Sequence, residues 1–138
     1  MKLKKVYVSI FFIVLFSCTT KHINSLNLYG DWQVINLYQK NKNHSNLNTY
    51  VLNISNGGNS CLFNMTKRHL EKPDYFKYTI DFNSNINKFK IEESSYEWLN
   101  LTYDMYIDTI QDLKNQKLLK LTLDHEDVYI EAVSIKNL

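Results

Sequence analysis

The chain has 138 residues, 16 basic and 14 acidic, for a formal net charge of +2. That length suits one domain with a modest core and not two. A near balance of charge builds no positive surface for nucleic acid, and three glycines supply little of a phosphate or cofactor cradle.

In chain order, the first element is a positive stretch, Lys2, Lys4 and Lys5, ahead of a run from Val6 to Phe16 that is apolar apart from Tyr7 and Ser9. This is the layout of a secretory signal, and the run is too short for a spanning helix, which needs about 20 residues. Leu15-Phe16-Ser17-Cys18 resembles the lipobox of bacterial lipoproteins, in which the cysteine thiol takes a diacylglycerol before cleavage on its N-terminal side. The resemblance implies a signal peptide over residues 1–17, lipid attachment at Cys18 and a flexible tether over 18–27. Palmitate-like acyl chains would then hold the protein, because each buried CH₂ contributes about 0.8 kcal/mol and two or three chains anchor where one binds reversibly. Thr19 stands where a retention signal would place Asp, which favours the outer membrane within the cell envelope.

Cleavage leaves 121 residues; removing Lys2, Lys4 and Lys5 from sixteen basic residues leaves thirteen against fourteen acids, a formal charge of −1. With Cys18 acylated, Cys61 is the one remaining thiol, so no internal disulfide forms. Its place in Ser60-Cys61-Leu62-Phe63 reads as a small buried apolar residue rather than a nucleophile. Ten tyrosines, seven phenylalanines and a single proline favour strands.

Trp32 to Tyr38 alternates as a strand, with Trp32, Val34 and Tyr38 on one face and Ile35 and Leu37 on the other. Residues 39–48 form a polar loop. Tyr50 to Ile54 and Cys61 to Met65 flank Asn56-Gly57-Gly58-Asn59, whose glycines supply the positive φ angles of a tight hairpin turn. After a polar break over Lys67 to Asp74, Phe76, Tyr78, Ile80 and Phe82 face one way against Lys77, Thr79 and Asp81. A turn over Asn83 to Asn87 leads to Phe89 and Ile91. Leu99, Leu101, Tyr103, Met105 and Ile107 share a face within Tyr96 to Ile110, which is long enough for a strand, a bend and a second strand. Helical spacing of Ile110, Leu113 and Lys117 competes over Asp108 to Lys120. Leu119, Leu121 and Leu123 then pass through Asp124-His125-Glu126-Asp127 into a final strand over Val128 to Ile135. The expected fold is all-β: a single antiparallel up-and-down barrel or meander of 7–8 strands over residues 28–138, closed because closure removes open edges.

Leu28-Tyr29-Gly30-Asp31-Trp32 resembles the L-x-G-x-W opening of lipocalins and of small bacterial lipocalin-like lipoproteins. The resemblance covers roughly residues 26–138. It implies that Gly30 bends the chain across the barrel end and Trp32 plugs it. The family's late arginine, which stacks on that tryptophan, is absent by identity. The one arginine is Arg68, mid-chain, and Lys136 on the last strand is the residue placed to approach Trp32.

No catalytic constellation, cofactor motif or metal set stands out. His22 and His44 lie in polar segments and His69 in a surface turn beside Arg68. Asp124-His125-Glu126-Asp127 lacks the spacing of a helical zinc motif or a calcium loop and reads as a polar turn. Three functional classes remain. A small hydrophobic ligand inside the barrel would be lined by Trp32, Tyr50, Phe76, Tyr78, Phe82, Tyr103 and Met105, which otherwise form a filled core. A protein-binding role, resembling lysozyme inhibitors or immunity proteins, would use Tyr106 and Tyr129 among Asp104, Asp108, Glu126, Asp127 and Glu131 against a basic envelope partner. An envelope structural component is the third alternative. The discriminating quantity is enclosed volume, with a dry cavity of about 300 Å³ or more expected for a carrier.

Overall fold

Alternation of apolar and polar side chains puts one face of a strand in a core and the other in water, and this chain sustains the pattern from Gly30 onward. The computed structural model describes residues 27–40, 42–43, 50–65 and 72–137. Its strands are β1 (Gly30–Gln39), β2 (Lys42–Asn43), β3 (Tyr50–Ile54), β4 (Asn59–Asn64), β5 (Asp74–Asp81), β6 (Asn87–Glu92), β7 (Thr102–Leu113), β8 (Gln116–His125) and β9 (Val128–Asn137), with a 3-10 turn at Glu97–Leu99. From β3 onward each strand pairs antiparallel with the next, β1 pairs with β3, and β9 returns to β1. The result is an eight-stranded closed antiparallel barrel of lipocalin-like topology, with β2 a two-residue addition beside Tyr38 and Gln39. The signal segment, Cys18, the tether to residue 26, His22, His44, Arg68 and His69 lie outside the described residues.

The interior is apolar: Trp32, Phe89, Ile91, Tyr103, Met105, Leu121 and Leu123 are buried, while acids, lysines and threonines occupy the outer wall. A membrane-spanning barrel has the reverse arrangement. Burying each large apolar side chain contributes about 1.5–3 kcal/mol, so the alternate residues of β7, β8 and β9 hold the wall together. Tyr78 stacks on Phe89 with ring centroids 5.0 Å apart. The β3–β4 turn carries Gly57 at φ +109° and Gly58 at φ +83°, as the Asn-Gly-Gly-Asn pattern requires. Gly58 also lies against β5: its carbonyl accepts the Tyr78 N–H at 2.7 Å.

Three expectations are corrected. Val34 is buried as expected, but the pairing of β1 with β9 shifts between Val34 and Asn36. Ile35 is the extra residue of that bulge, so the faces exchange: Leu37 turns into the core and Tyr38 outward. Residues 96–110 hold one strand, not two, because the first part is the 3-10 turn. The helical alternative over Asp108 to Lys120 is overturned: β7 runs to Leu113 and pairs through a tight Lys114-Asn115 turn with β8. A second bulge between Thr109 and Gln111 breaks the period-2 pattern there and leaves the spacing that resembled a helix.

The barrel has two unlike ends. One holds the start of β1, the end of β9 and the β3–β4, β5–β6 and β7–β8 turns. The other holds the start of β3, the β8–β9 turn and the connection from Glu93 to Leu101.

Candidate functional site

Trp32 closes the first end. It is fully buried, and its indole N–H donates to the Leu28 carbonyl at 2.7 Å. Lys136 from β9 sets its ammonium 5.1 Å from the centre of the Trp32 ring and donates to the Tyr29 carbonyl at 2.5 Å. The lysine thus reaches Trp32 from the last strand, as its place in the sequence predicts. Burial pulls the Lys136 pKa below its ordinary value, with the Asp31 charge opposing. Gly30 has φ +114°, and a Cβ there would sit 3.1 Å from the Lys136 ammonium. The positive φ is what favours glycine at this position, and a Cβ would also press the lysine ammonium to give way by a few tenths of an ångström.

The opposite end is roofed by residues 93–101. Asp74, buried at the start of β5, accepts hydrogen bonds from the Ser95 N–H at 2.8 Å, the Ser95 hydroxyl at 2.6 Å and the Ser94 hydroxyl at 2.5 Å. The Asn100 amide accepts from the Ser94 N–H and donates to its carbonyl. Glu93 takes a positive φ of 61° to start the turn. Below, the Tyr103 hydroxyl donates to the Leu99 carbonyl at 3.0 Å, and burial pushes the Tyr103 pKa far up, so it stays a donor. Buried polar groups saturated in this way rigidify a segment that has little ladder bonding of its own.

Under that roof lies a cavity of about 200 Å³. Aliphatic side chains of Val34, Leu37, Leu62, Leu99 and Ile130 line it, together with the rings of Tyr50, Tyr96 and Trp98. Tyr96 and Trp98 lie 5.8 Å apart at the cap. None of these walls is a carboxylate or an amine. A charged ligand would lose its hydration without compensation, so the chemistry is that of a neutral apolar guest. A wider hollow, at Leu113 to Gln116 and Asn137, is open to solvent.

Of the residues expected to line a ligand, Tyr50 is at this cavity. Trp32, Phe76, Tyr78, Tyr103 and Met105 are packed in the core, and Phe82 lies just past the end of β5 with 43% of its surface exposed. Leu37 was hidden from sequence reading by the Ile35 bulge. Trp98 carried a usable signal: a tryptophan in a short Ser- and Asn-flanked connection has no strand partner and needs an apolar surface beneath it. Asp124-His125-Glu126-Asp127 forms the β8–β9 turn, where His125 Nδ1 accepts the Asp127 N–H at 3.1 Å and Lys40 pairs with Asp127 at 2.8 Å. The Lys40 hydrogen bond holds the Asp127 carboxyl below its usual range. Cys61 is half-buried on the wall rather than fully buried, and burial followed by the Asp31 and Asp74 charges raises its pKa, keeping it a thiol.

Outside, Glu131 collects the Asn36 amide at 2.6 Å, the Tyr129 hydroxyl at 2.8 Å and Lys120 at 3.3 Å. The Asn36 hydrogen bond chiefly lowers its pKa, with Tyr129 and Lys120 adding to it against a burial cost. Burial, then the Glu131 hydrogen bond, pushes Tyr129 up to about 12.

Fold and cavity together define a lipocalin-like barrel with the capacity in principle to bind a ligand. No protein-family model, curated protein or solved structure matches the chain.

Proposed function

We propose that this protein is a non-catalytic binding barrel, lipid-anchored through Cys18 at the outer membrane of a bacterial-type cell envelope, that holds one small neutral apolar molecule beneath the 93–101 roof. The observation that carries the reading is the cavity with uncharged walls. Apolar cavities of roughly 150 Å³ stay dry and accept benzene, and drug-sized ligands occupy roughly 300–1,000 Å³. At about 200 Å³ the cavity falls short of the volume expected of a carrier for larger hydrophobic molecules. It suits a single ring or a short alkyl chain. Anchoring rests on the Lys2-to-Phe16 signal pattern and the Leu15-to-Cys18 motif.

Native mass spectrometry of the exported protein tests the ligand reading. A co-purifying small mass lost on denaturation is expected. Titration with indole or toluene should then change Trp98 fluorescence in the emptied protein and not in Trp98→Phe. Saturating ligand that leaves both signals unchanged defeats the reading.

A second reading has its own observation. Pairing across β7, β8, β9 and β1 aligns Asp104, Asp124, Tyr129 and Tyr38 in one row and Tyr106, Thr122, Glu131 and Asn36 in the next. Tyrosines interleaved with acids suit a basic protein partner, and a pull-down weakened by Tyr106→Ala would favour it over the cavity.

A further inference from the structure

The exposed large apolar residues divide by chemistry between the ends. At the Trp32 end they are Phe82, Ile86, Ile110, Leu113 and Ile135; on the wall and toward the roof they are mostly tyrosines. The apolar group is gathered by the way the sheet ends. The ladder from β6 to β7 stops at Met105, and the ladder from β1 to β9 stops at Val133. In the backbone ladder the remaining parts of β7, β8 and β9 pair with each other, a three-stranded ribbon at this mouth whose inner face still meets the start of β1 through Ser134 on the Asp31 carbonyl and Lys136 on the Tyr29 carbonyl. Every residue of β7 from Asp108 onward is exposed. In the antiparallel register, Leu118 pairs with both Gln111 and Ile135, and Leu113 lies two residues beyond Gln111 on the same face. Ile135 is 66% exposed, Ile110 53% and Leu113 49%. Phe82 and Ile86 flank the adjoining β5–β6 turn. Lys114 sits in the turn at the tip, and Lys117 makes a long 3.7 Å pair with Asp112. Lysines beside an apolar tip can keep their charge in water while their stems lie along apolar surface.

We propose that this rim is a membrane contact: the β7–β8 hairpin tip, with Ile110, Leu113 and Ile135, seats in the interfacial layer of a lipid bilayer, flanked by Phe82 and Ile86. The occupant follows from where the chain arrives. β1 begins at this end, and residues 18–27 can span at most about 36 Å. An anchor at Cys18 therefore attaches to the barrel at this end and keeps its mouth within that distance of the bilayer. Interfacial segments bury their apolar faces about 5–10 Å deep, a depth within reach of side chains at a hairpin tip. The inference rests on the anchoring reading and adds an orientation to it, with the cavity roof facing away from the lipid.

The test uses the full chain reconstituted on dioleoylphosphatidylcholine vesicles, with and without brominated acyl chains, and its intact mass to read acylation. Tryptophan is introduced as Leu113→Trp, as Ile110→Trp and, for the wall near the roof, as Tyr38→Trp. All three positions are exposed, so folding is little disturbed. Bromine should quench the two rim variants severalfold more than Tyr38→Trp. Equal quenching on an acylated chain overturns the rim contact while leaving the anchor standing. An unacylated chain that still shows the difference supports the rim and removes the anchor. Absence of quenching, with Leu113-dependent dimers in vesicle-free solution, assigns the rim to a second copy and overturns the proposal.

Discussion

The two ends of the barrel solve the same problem in opposite ways. A closed sheet leaves its mouths open, and each must be covered. At the Trp32 end a single large ring fills the mouth, braced by Lys136 and by a hydrogen bond to Leu28. At the other end a roof is hung from Asp74 and leaves about 200 Å³ empty. The plug uses side-chain volume and the roof uses polar bonds, so the first supports stability and the second leaves space for a guest.

The largest effect should follow from emptying the plug. Trp32→Ala is expected to cost about 3–5 kcal/mol in urea unfolding, the range for deleting a buried large aromatic, and a loss below about 1 kcal/mol would mean that the end collapses to fill the gap. Next comes the roof. Asp74→Ala leaves the Ser94 and Ser95 donors without their acceptor and should cost about 1–3 kcal/mol. Its more telling signature is hydrogen exchange, with protection lost over residues 93–101 while the Trp32 end is unchanged. Uniform loss of protection would show that the two ends are one cooperative unit. Lys136→Met keeps the stem and removes the cation over the ring, at an expected cost of about 0.5–2 kcal/mol. A double-mutant cycle with Trp32→Phe should show the coupling, and additivity would mean that the ammonium serves only the Tyr29 carbonyl.

The smallest effect belongs to neither end and serves as a reference. Glu131 on the wall has its pKa lowered from 4.5. A depressed carboxyl pKa gives stability that is full above the unfolded value and lost as pH falls through the folded one. Glu131→Gln should therefore lower stability at pH 7 by less than about 1 kcal/mol, as expected of a partly screened ion pair. The gap from the parent should close below pH 4.5 as the parent carboxyl protonates.

The same contrast governs what could be read from the sequence. The plug was legible because it is written locally: Gly30 and Trp32 sit two residues apart, and Phe76, Tyr78, Phe89 and Ile91 keep a clean period of two. The Lys136 position was legible only as a residue able to reach Trp32 from the last strand. The cavity was largely illegible. Its walls depend on the Ile35 bulge, and a bulge is decided by the register of β1 against β9, about a hundred residues away in sequence, not by β1 itself. Phe82 fits the alternation of β5 perfectly well, but the strand stops at Asp81, and a pattern does not announce where its ladder partner ends. Trp98 belongs to a segment whose shape comes from Asp74 and Asn100, so no periodicity marks it.

The return of β9 to β1 also sets an order of events. Every other pairing in the barrel joins strands that are neighbours in sequence, and such local contacts form with little loop-closure cost. The β1–β9 seam joins the first full strand to the last. A chain delivered N-terminus first would zip its hairpins one after another while β1 waits, with Trp32 lacking its lysine brace until Lys136 has emerged. Substitutions along the seam should consequently act mainly on the unfolding rate, making the plug a latch that closes only on a fully delivered chain.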